Sequence, residues 1–517
     1  MTTAEPQADD RTVAGEPRTE APAPLGPRYD AVIVGAGFGG MGAAIALREM
    51  GYDDLLIVDR EDDLGGTWHV NRYPGLAVDI ASVTYSYSFA PNPHWSRLYA
   101  PGSELKAYAD HIADTYDLRR HMCFGTAVEG ARWDGRAKMW RVRLAGGEEV
   151  TGRLLLTATG FLSQPRTPDI TGINDFAGTV VHTADWDSAA PIDGARTAII
   201  GTGATAVQLI PELAARARQL TVYQRTPIWV LPKIDPPIPR PVRALFARLP
   251  ATQRVARRIS DRILEQVLIT AVLDFRRGRW LNTVAKKIAA AHLFWQVRDR
   301  KLRRELTPDY DFGCKRPTFS NRYHRTLTAE NVHLDTAGIA EITAHEIVST
   351  DGTRTPVDVL VLATGYDIWQ VNFPAIEVRG RDDADLGRFW RDEGFQAYEG
   401  LAVPGFPNFL TLASPYSYSG LSYFTTIESQ MRHIRRLLGE RDRRGADTFE
   451  VTAEANARFL AAARARLGDS VFTLGACDGA RSYYFNQHGE AALLRPTTTG
   501  EAFRAARSFP LGDYLFD

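Results

Sequence analysis

Two glycine-rich turns, Gly35-x-Gly37-x-x-Gly40 and Gly201-x-Gly203-x-x-Ala206, constrain this 517-residue chain more than any other feature. Each follows an apolar, β-branched run (Ala31-Val32-Ile33-Val34; Ala198-Ile199-Ile200) and opens a helical pattern that begins with Phe38 in one case and with Ala204, Thr205 and Gln208 in the other. Glycine allows the tight strand-to-helix turn. The helix N-terminus behind it offers free N–H groups and partial positive charge to a pyrophosphate.

The residue 24 positions beyond each turn's first glycine differs in sign, Asp59 at the end of Leu55-Leu56-Ile57-Val58 and Arg225 at the end of Leu220–Gln224. A carboxylate there can accept both hydroxyls of an unphosphorylated ribose, which fits FAD or NAD. A guanidinium pairs instead with a 2′-phosphate, which fits NADPH, with Thr226 beside it. Two different dinucleotides are therefore expected on one chain.

Each turn is matched downstream by an apolar strand ending in Ala-Thr-Gly, at Ala158-Thr159-Gly160 and at Ala363-Thr364-Gly365. This degenerate repeat predicts an α/β fold of two Rossmann-like dinucleotide-binding domains, the NADPH domain inserted in the FAD domain. The expected boundaries are a disordered tail over 1–28, an FAD domain over 29–175 and 371–517, an NADPH domain over 176–230 and 307–370, and a helical subdomain over 231–306. In that subdomain Pro breaks precede helical patterns at Gln253–Ala271 and Leu281–Arg303, with apolar residues at helical spacing among many arginines. A basic amphipathic membrane helix is one reading. The favoured one is a subdomain packed on the nucleotide domain with a solvated arginine face. A further helix is expected near Tyr423.

A net charge of −1 gives no electrostatic reason to invoke nucleic acid or an anionic membrane. No stretch approaches the apolar length needed to span a bilayer, and the tail lacks the basic start and apolar core of a signal peptide. Cys123, Cys314 and Cys477 lie far apart, which argues against disulfides, zinc and iron–sulfur clusters and fits a reducing cytoplasm.

Between the two nucleotide units lies Phe176-x-Gly178-x-x-x-His182-x-x-x-Trp186-Asp187. It resembles the fingerprint of the flavin-dependent Baeyer–Villiger monooxygenases. Two more stretches carry the same resemblance: Gly65-Gly66-Thr67-Trp68 continuing through Tyr73-Pro74-Gly75 to Asp79, and Leu306–Tyr310 running into Gly313-Cys314-Lys315-Arg316. Together they span residues 29 to about 430. The resemblance implies FAD and NADPH as cofactors and a small-molecule ketone and O₂ as substrates. The reaction it implies is one in which NADPH reduces FAD, the reduced flavin captures O₂ at C4a, and the peroxide, kept anionic by a fixed cation, inserts one oxygen beside the carbonyl to give an ester or lactone.

By the same resemblance Arg316 is the active-site cation and Asp79 the carboxylate that orients it. Lys315 joins Arg225 and Thr226 at the 2′-phosphate. Trp68 and Tyr85 are flavin-site aromatics, with core packing as the alternative. Gly66, Thr67, Val128, Thr159 and Gly160 complete the expected flavin site. For His182 a hinge role holding backbone groups is preferred to general-base catalysis, and Trp186 is read as packing.

Two departures from the family pattern stand out. Asp59 replaces the usual Glu, and Cys477–Tyr484 lacks the Trp that commonly follows a Cys there, leaving Tyr483 or Tyr484 as substitutes. The alternatives are oxygenation at nitrogen or sulfur, where a protonated hydroperoxide serves and Arg316 matters less, and a non-catalytic flavoprotein scaffold or NADPH sensor. A pyridine-nucleotide disulfide reductase is set aside for want of paired cysteines near the flavin site. The aromatic loops around Tyr416–Tyr423 suggest a bulky, apolar ketone.

Overall fold

The computed structural model describes residues 26–418 and 422–517; the tail expected over 1–28 lies almost wholly outside the described residues. Two sheets carry the two glycine turns, the larger one mixed, with Met139–Leu144 antiparallel to both of its neighbours. The larger, eight-stranded one is built on Arg28–Val34, flanked by Leu55–Val58 and Glu149–Thr157. Its far edge recruits Glu377–Arg379, and Phe409–Thr411 adds beside Leu155–Thr157. The smaller sheet is parallel throughout, in the order Val332–Asp335, Gln219–Tyr223, Arg196–Ile200, Val359–Leu362 and Thr179–His182. These are two Rossmann-like units.

Register explains the repeated tripeptide. Val34 pairs with Thr157 and Ile200 with Leu362, so each Ala-Thr-Gly emerges directly beside its glycine turn. Gly35 and Gly201 have φ of +110° and +114°, and a Cβ on either would overlap the carbonyl oxygen of Ala158 or Ala363. The third position differs between the turns. A Cβ on Gly40 would overlap the Gly35 carbonyl, whereas the second turn carries Ala206, fully buried, at that place.

Between Arg240 and Glu305 the helices are Arg240–Arg248, Pro250–Leu264, a π-helical stretch Glu265–Ile269, Thr270–Val272, Phe275–Gln296 and Arg300–Glu305. The long helix therefore starts six residues before the expected Leu281 and stops at Gln296 rather than Arg303. Pro250–Leu264 is anchored on one face: Gln253 donates to the Asn92 carbonyl, Arg257 to the Ser86 carbonyl, and Thr84 donates to Asp261. A helix Tyr423–Arg444 packs its apolar face on Phe38–Arg48, with Ile427 and Met431 in the same core as Met41.

One expectation from the cysteines fails. Cys314 and Cys477, both buried, form a disulfide across 163 residues of sequence, and only Cys123 is free. Spacing could not reveal it, because the partners meet only when the C-terminal segment folds over the Asp309–Arg316 loop. Asp311 and Ala476 exchange two further hydrogen bonds at that crossing. The cysteines thus give no argument for a reducing compartment. Among the described residues no helix is long and apolar enough to cross a membrane.

Candidate functional site

A cavity of about 1310 Å³ opens between the carboxyl ends of the two sheets, where doubly wound folds bind ligands. Its wall brings together Gly35, Gly37, Phe38, Asp59, Gly66, Thr67, Trp68, Asp79, Tyr85, Val128, Thr159 and Gly160 from the first unit. From the second come Gly201, Gly203, Ala204, Thr205, Gln208, Arg225, Thr226, Lys315 and Arg316. Gly40 and Ala206 sit behind the turns, and Phe176, Gly178, His182, Trp186 and Asp187 do not reach the cavity.

Both turns present what a dinucleotide needs. The helices Phe38–Arg48 and Ala204–Arg216 have Gly37 and Gly203 as N-caps, with no side chain bonding the first-turn N–H groups. Those donors remain available to an anion. A Cβ at Gly203 would point into open space, so the backbone itself is the recognition surface there. Asp59 accepts from the Ala36 N–H at 2.6 Å and from the Glu61 N–H at 3.0 Å, which aims its carboxylate at the end of the strand. Burial nonetheless raises its pKa, outweighing these two hydrogen bonds and the neighbouring Arg60 charge.

At the other turn a cluster of positive charge gathers. Arg225 and Lys315 line the cavity with Arg481, from the C-terminal segment, and Arg166. None of the four makes an ion pair among the described residues. The Arg225 pKa is lowered, first by burial and then by Arg481 and Arg166; that of Lys315 falls to about 8 through burial, then Arg225 and Arg481. Cations gathered without an ion pair, two of them with lowered pKa, are the electrostatic complement of a multiply charged anion.

Between these ends stands Arg316. Its Nε and Nη2 donate to Asp79 Oδ2 and Oδ1 at 2.6 and 2.8 Å, a bidentate grip, and its Nη1 donates to the Tyr418 hydroxyl at 2.9 Å. Burial opposes charge on both partners. The pairing outweighs it, so the Asp79 pKa lies below the usual carboxylate range and that of Arg316 above the usual guanidinium value. Gln208 fixes the segment that carries Asp79, donating to the Ala77 carbonyl and accepting from the Tyr73 hydroxyl and the Ala77 N–H. A residue of the second nucleotide helix thereby holds the carboxylate of the first domain in place. Trp68 and Tyr85, both in the cavity wall, meet edge to face at 5.6 Å.

The fingerprint residues lie on and beside the edge strand of the smaller sheet. His182 ends a strand of the smaller sheet, its Nδ1 accepting from the Ala184 N–H and its Nε2 lying 3.4 Å from the Thr364 hydroxyl; burial lowers its pKa. Phe176 and Trp186 are buried, a Cβ on Gly178 would overlap the Asp358 carbonyl, and Asp187 caps the Ala189 N–H.

Sequence reasoning did not single out Tyr418, Phe161, Arg166 or Arg481. Tyr418 lies in an aromatic loop with no periodicity to mark it, its ring 5.6 Å from that of Phe161. Arg481 comes near Arg225 and Lys315 because the disulfide-linked C-terminal segment crosses there. Of the two tyrosines that follow, Tyr483 lines the cavity, and its carbonyl accepts from the Trp369 indole.

Known proteins resemble this chain along most of its length. Residues 29–254 match the family model of pyridine nucleotide-disulphide oxidoreductases. A Baeyer–Villiger monooxygenase of Streptomyces coelicolor is 35% identical over 485 residues, 93% of this chain and 91% of its own length. One from Pseudomonas aeruginosa is 36% identical, covering 95% and 92% respectively. Among solved structures, an oxidized steroid monooxygenase bound to NADP superposes with a TM-score of 0.83 at 30% identity, over 95% of this chain and 99% of that one. A closed cyclohexanone monooxygenase gives the same score and coverage at 27%.

Proposed function

Because the chain belongs to the Baeyer–Villiger monooxygenase family, we propose that Arg316, gripped by Asp79 and Tyr418, is the fixed cation on which its oxygen insertion depends. The protein is an NADPH- and O₂-dependent flavin monooxygenase that converts a ketone to an ester or lactone. The observation that carries the role of Arg316 is its bidentate ion pair in the wall between the two glycine turns.

The residues suit both cofactors. The uncapped first turn with Asp59 would hold the FAD diphosphate and ribose; the second, with Arg225, Thr226 and Lys315, would hold NADPH. When bound, NADPH supplies the electron pair and FAD passes it to O₂. The protein's own part is electrostatic. Asp79 offsets the cost of burying the permanently charged Arg316 and fixes its plane, and Arg316 lines the cavity with N–H donors to spare. There they favour a deprotonated, nucleophilic oxygen and the negative charge that develops on the ketone oxygen. Tyr418 supplies a third hold from the opposite side. Tyr418→Phe removes a hydrogen bond to a charged group, worth about 1.5–3 kcal/mol. It should lower kcat roughly tenfold or more with little change in the KM for NADPH, as steady-state kinetics will report.

Two predictions concern the coenzyme. Arg225→Ala should raise the KM for NADPH about ten- to hundredfold while leaving that for NADH nearly unchanged, the signature of a lost 2′-phosphate contact. Lys315 is charged below its pKa of about 8 and loses that charge as pH rises through it. The KM for NADPH should therefore increase above pH 8. Lys315→Arg should flatten this dependence, and an unchanged profile would remove Lys315 from the phosphate site.

The substrate is proposed to be an apolar, cyclic ketone. Phe161, Tyr418, Tyr423 and Tyr483 bring aromatic surface to the cavity, and relatives are named for cyclohexanone and for steroids. Incubating purified enzyme with NADPH, ¹⁸O₂ and linear, monocyclic and polycyclic ketones tests this. A product heavier by one labelled oxygen, formed best from the cyclic compounds, is expected; ketone-stimulated NADPH consumption without labelled product would refute the reading.

A further inference from the structure

The helical insertion exposes what a folded subdomain ordinarily hides. Along Pro250–Leu264 and into the next turn, Val255, Ile259, Ile263 and Val267 recur every four residues, and all face outward, opposite the Gln253 and Arg257 anchors. At 100° per residue this spacing draws one continuous stripe. A second stripe runs along Phe275–Gln296, where Trp280, Val284, Ile288 and Trp295 lie within a narrow arc; the two tryptophans are 65% and 83% exposed.

The charge around the stripes is one-sided. Residues 240–305 hold 17 of the chain's 61 Lys and Arg but only 5 of its 62 Asp and Glu, so the near-zero total conceals a strongly cationic insertion. Arg254, Arg258 and Arg262 each precede a stripe residue, are exposed, and make no ion pair among the described residues. A symmetric pairing of two copies through this face would set those arginines against themselves, with few carboxylates to offset them. An anionic bilayer surface fits both features. Ile and Val sides enter the headgroup–acyl boundary, tryptophan settles at that boundary, and arginine stems reach back to the lipid phosphates.

We propose that the helical insertion docks this enzyme on anionic lipid surfaces, lying on the bilayer without crossing it.

Sedimentation of the full-length holoenzyme with phosphatidylcholine vesicles, with and without one-third phosphatidylglycerol, tests the proposal. Binding to the anionic vesicles alone, weakened by added salt, is expected. The Ile259→Ser/Ile263→Ser/Trp295→Ser variant should bind at least about tenfold more weakly while its ketone-dependent NADPH oxidation is unchanged. Arg254→Gln/Arg258→Gln/Arg262→Gln should lose much of the salt dependence. Equal binding of wild type and apolar variant, equal binding to neutral vesicles, or no binding at low salt would each overturn the proposal. So would a wild-type dimer that the apolar variant converts to monomer without any vesicle binding, because the stripe would then be a subunit interface.

Discussion

Arg316→Ala should purify with FAD bound yet oxygenate ketones about a thousandfold more slowly. A unit positive charge about 4 Å from a negative oxygen is worth roughly 4 kcal/mol at an effective dielectric near 20, and that energy counts in the rate only where the charge develops at the transition state. Single-turnover product formation, with flavin absorbance as the check on folding, reads the effect. The substitution also strands Asp79, whose lowered pKa depends on Arg316. Asp79→Asn should therefore lose less than Arg316→Ala, since the guanidinium stays in place with its Tyr418 bond and loses only the charge that orients it. Arg316→Lys keeps the charge but not the fork that matches a carboxylate, and should fall between them.

Gly40→Ala should yield largely colourless protein, with FAD affinity reduced about ten- to hundredfold. The added methyl group would meet the backbone carbonyl of Gly35, which cannot move without opening the turn that presents the first-turn N–H groups. The second turn provides the control. Ala206→Gly should cost about 1 kcal/mol of helix propensity and leave the KM for NADPH close to wild type. Flavin content of the purified proteins and coenzyme kinetics measure the two. Comparable FAD occupancy in Gly40→Ala and wild type would show that this turn has more freedom than its packing implies.

The turns were legible because their meaning is local. A strand, a φ only glycine holds comfortably and a helix N-terminus lie within ten residues, and Asp59 and Arg225 follow at the end of the next strand. Arg316 and Asp79 were legible only through the family resemblance, since 237 residues separate them and neither has a distinctive neighbourhood. What stayed hidden arises where distant segments cross. The Cys314–Cys477 bond, Arg481 near Arg225 and Lys315, and Tyr418 on Arg316 all depend on how the C-terminal portion folds back over the Asp309–Arg316 loop. The insertion shows a different limit. Its apolar periodicity announced helices, but a period of four reads the same whether the stripe faces a core or the solvent, and only the fold shows Ile259 and Trp295 outside.

The most direct test of the account compares two acceptors in one variant. A ketone requires a nucleophilic oxygen held by a cation, whereas a sulfide is oxidised by a protonated, electrophilic one. Product yields of Arg316→Ala on a cyclic ketone and on a thioether, measured per NADPH under ¹⁸O₂, should show the labelled ester or lactone nearly abolished and the labelled sulfoxide substantially retained. Ketone oxygenation at the wild-type rate would contradict the role assigned to Arg316, and equal loss of both products would reduce that residue to a support of the fold.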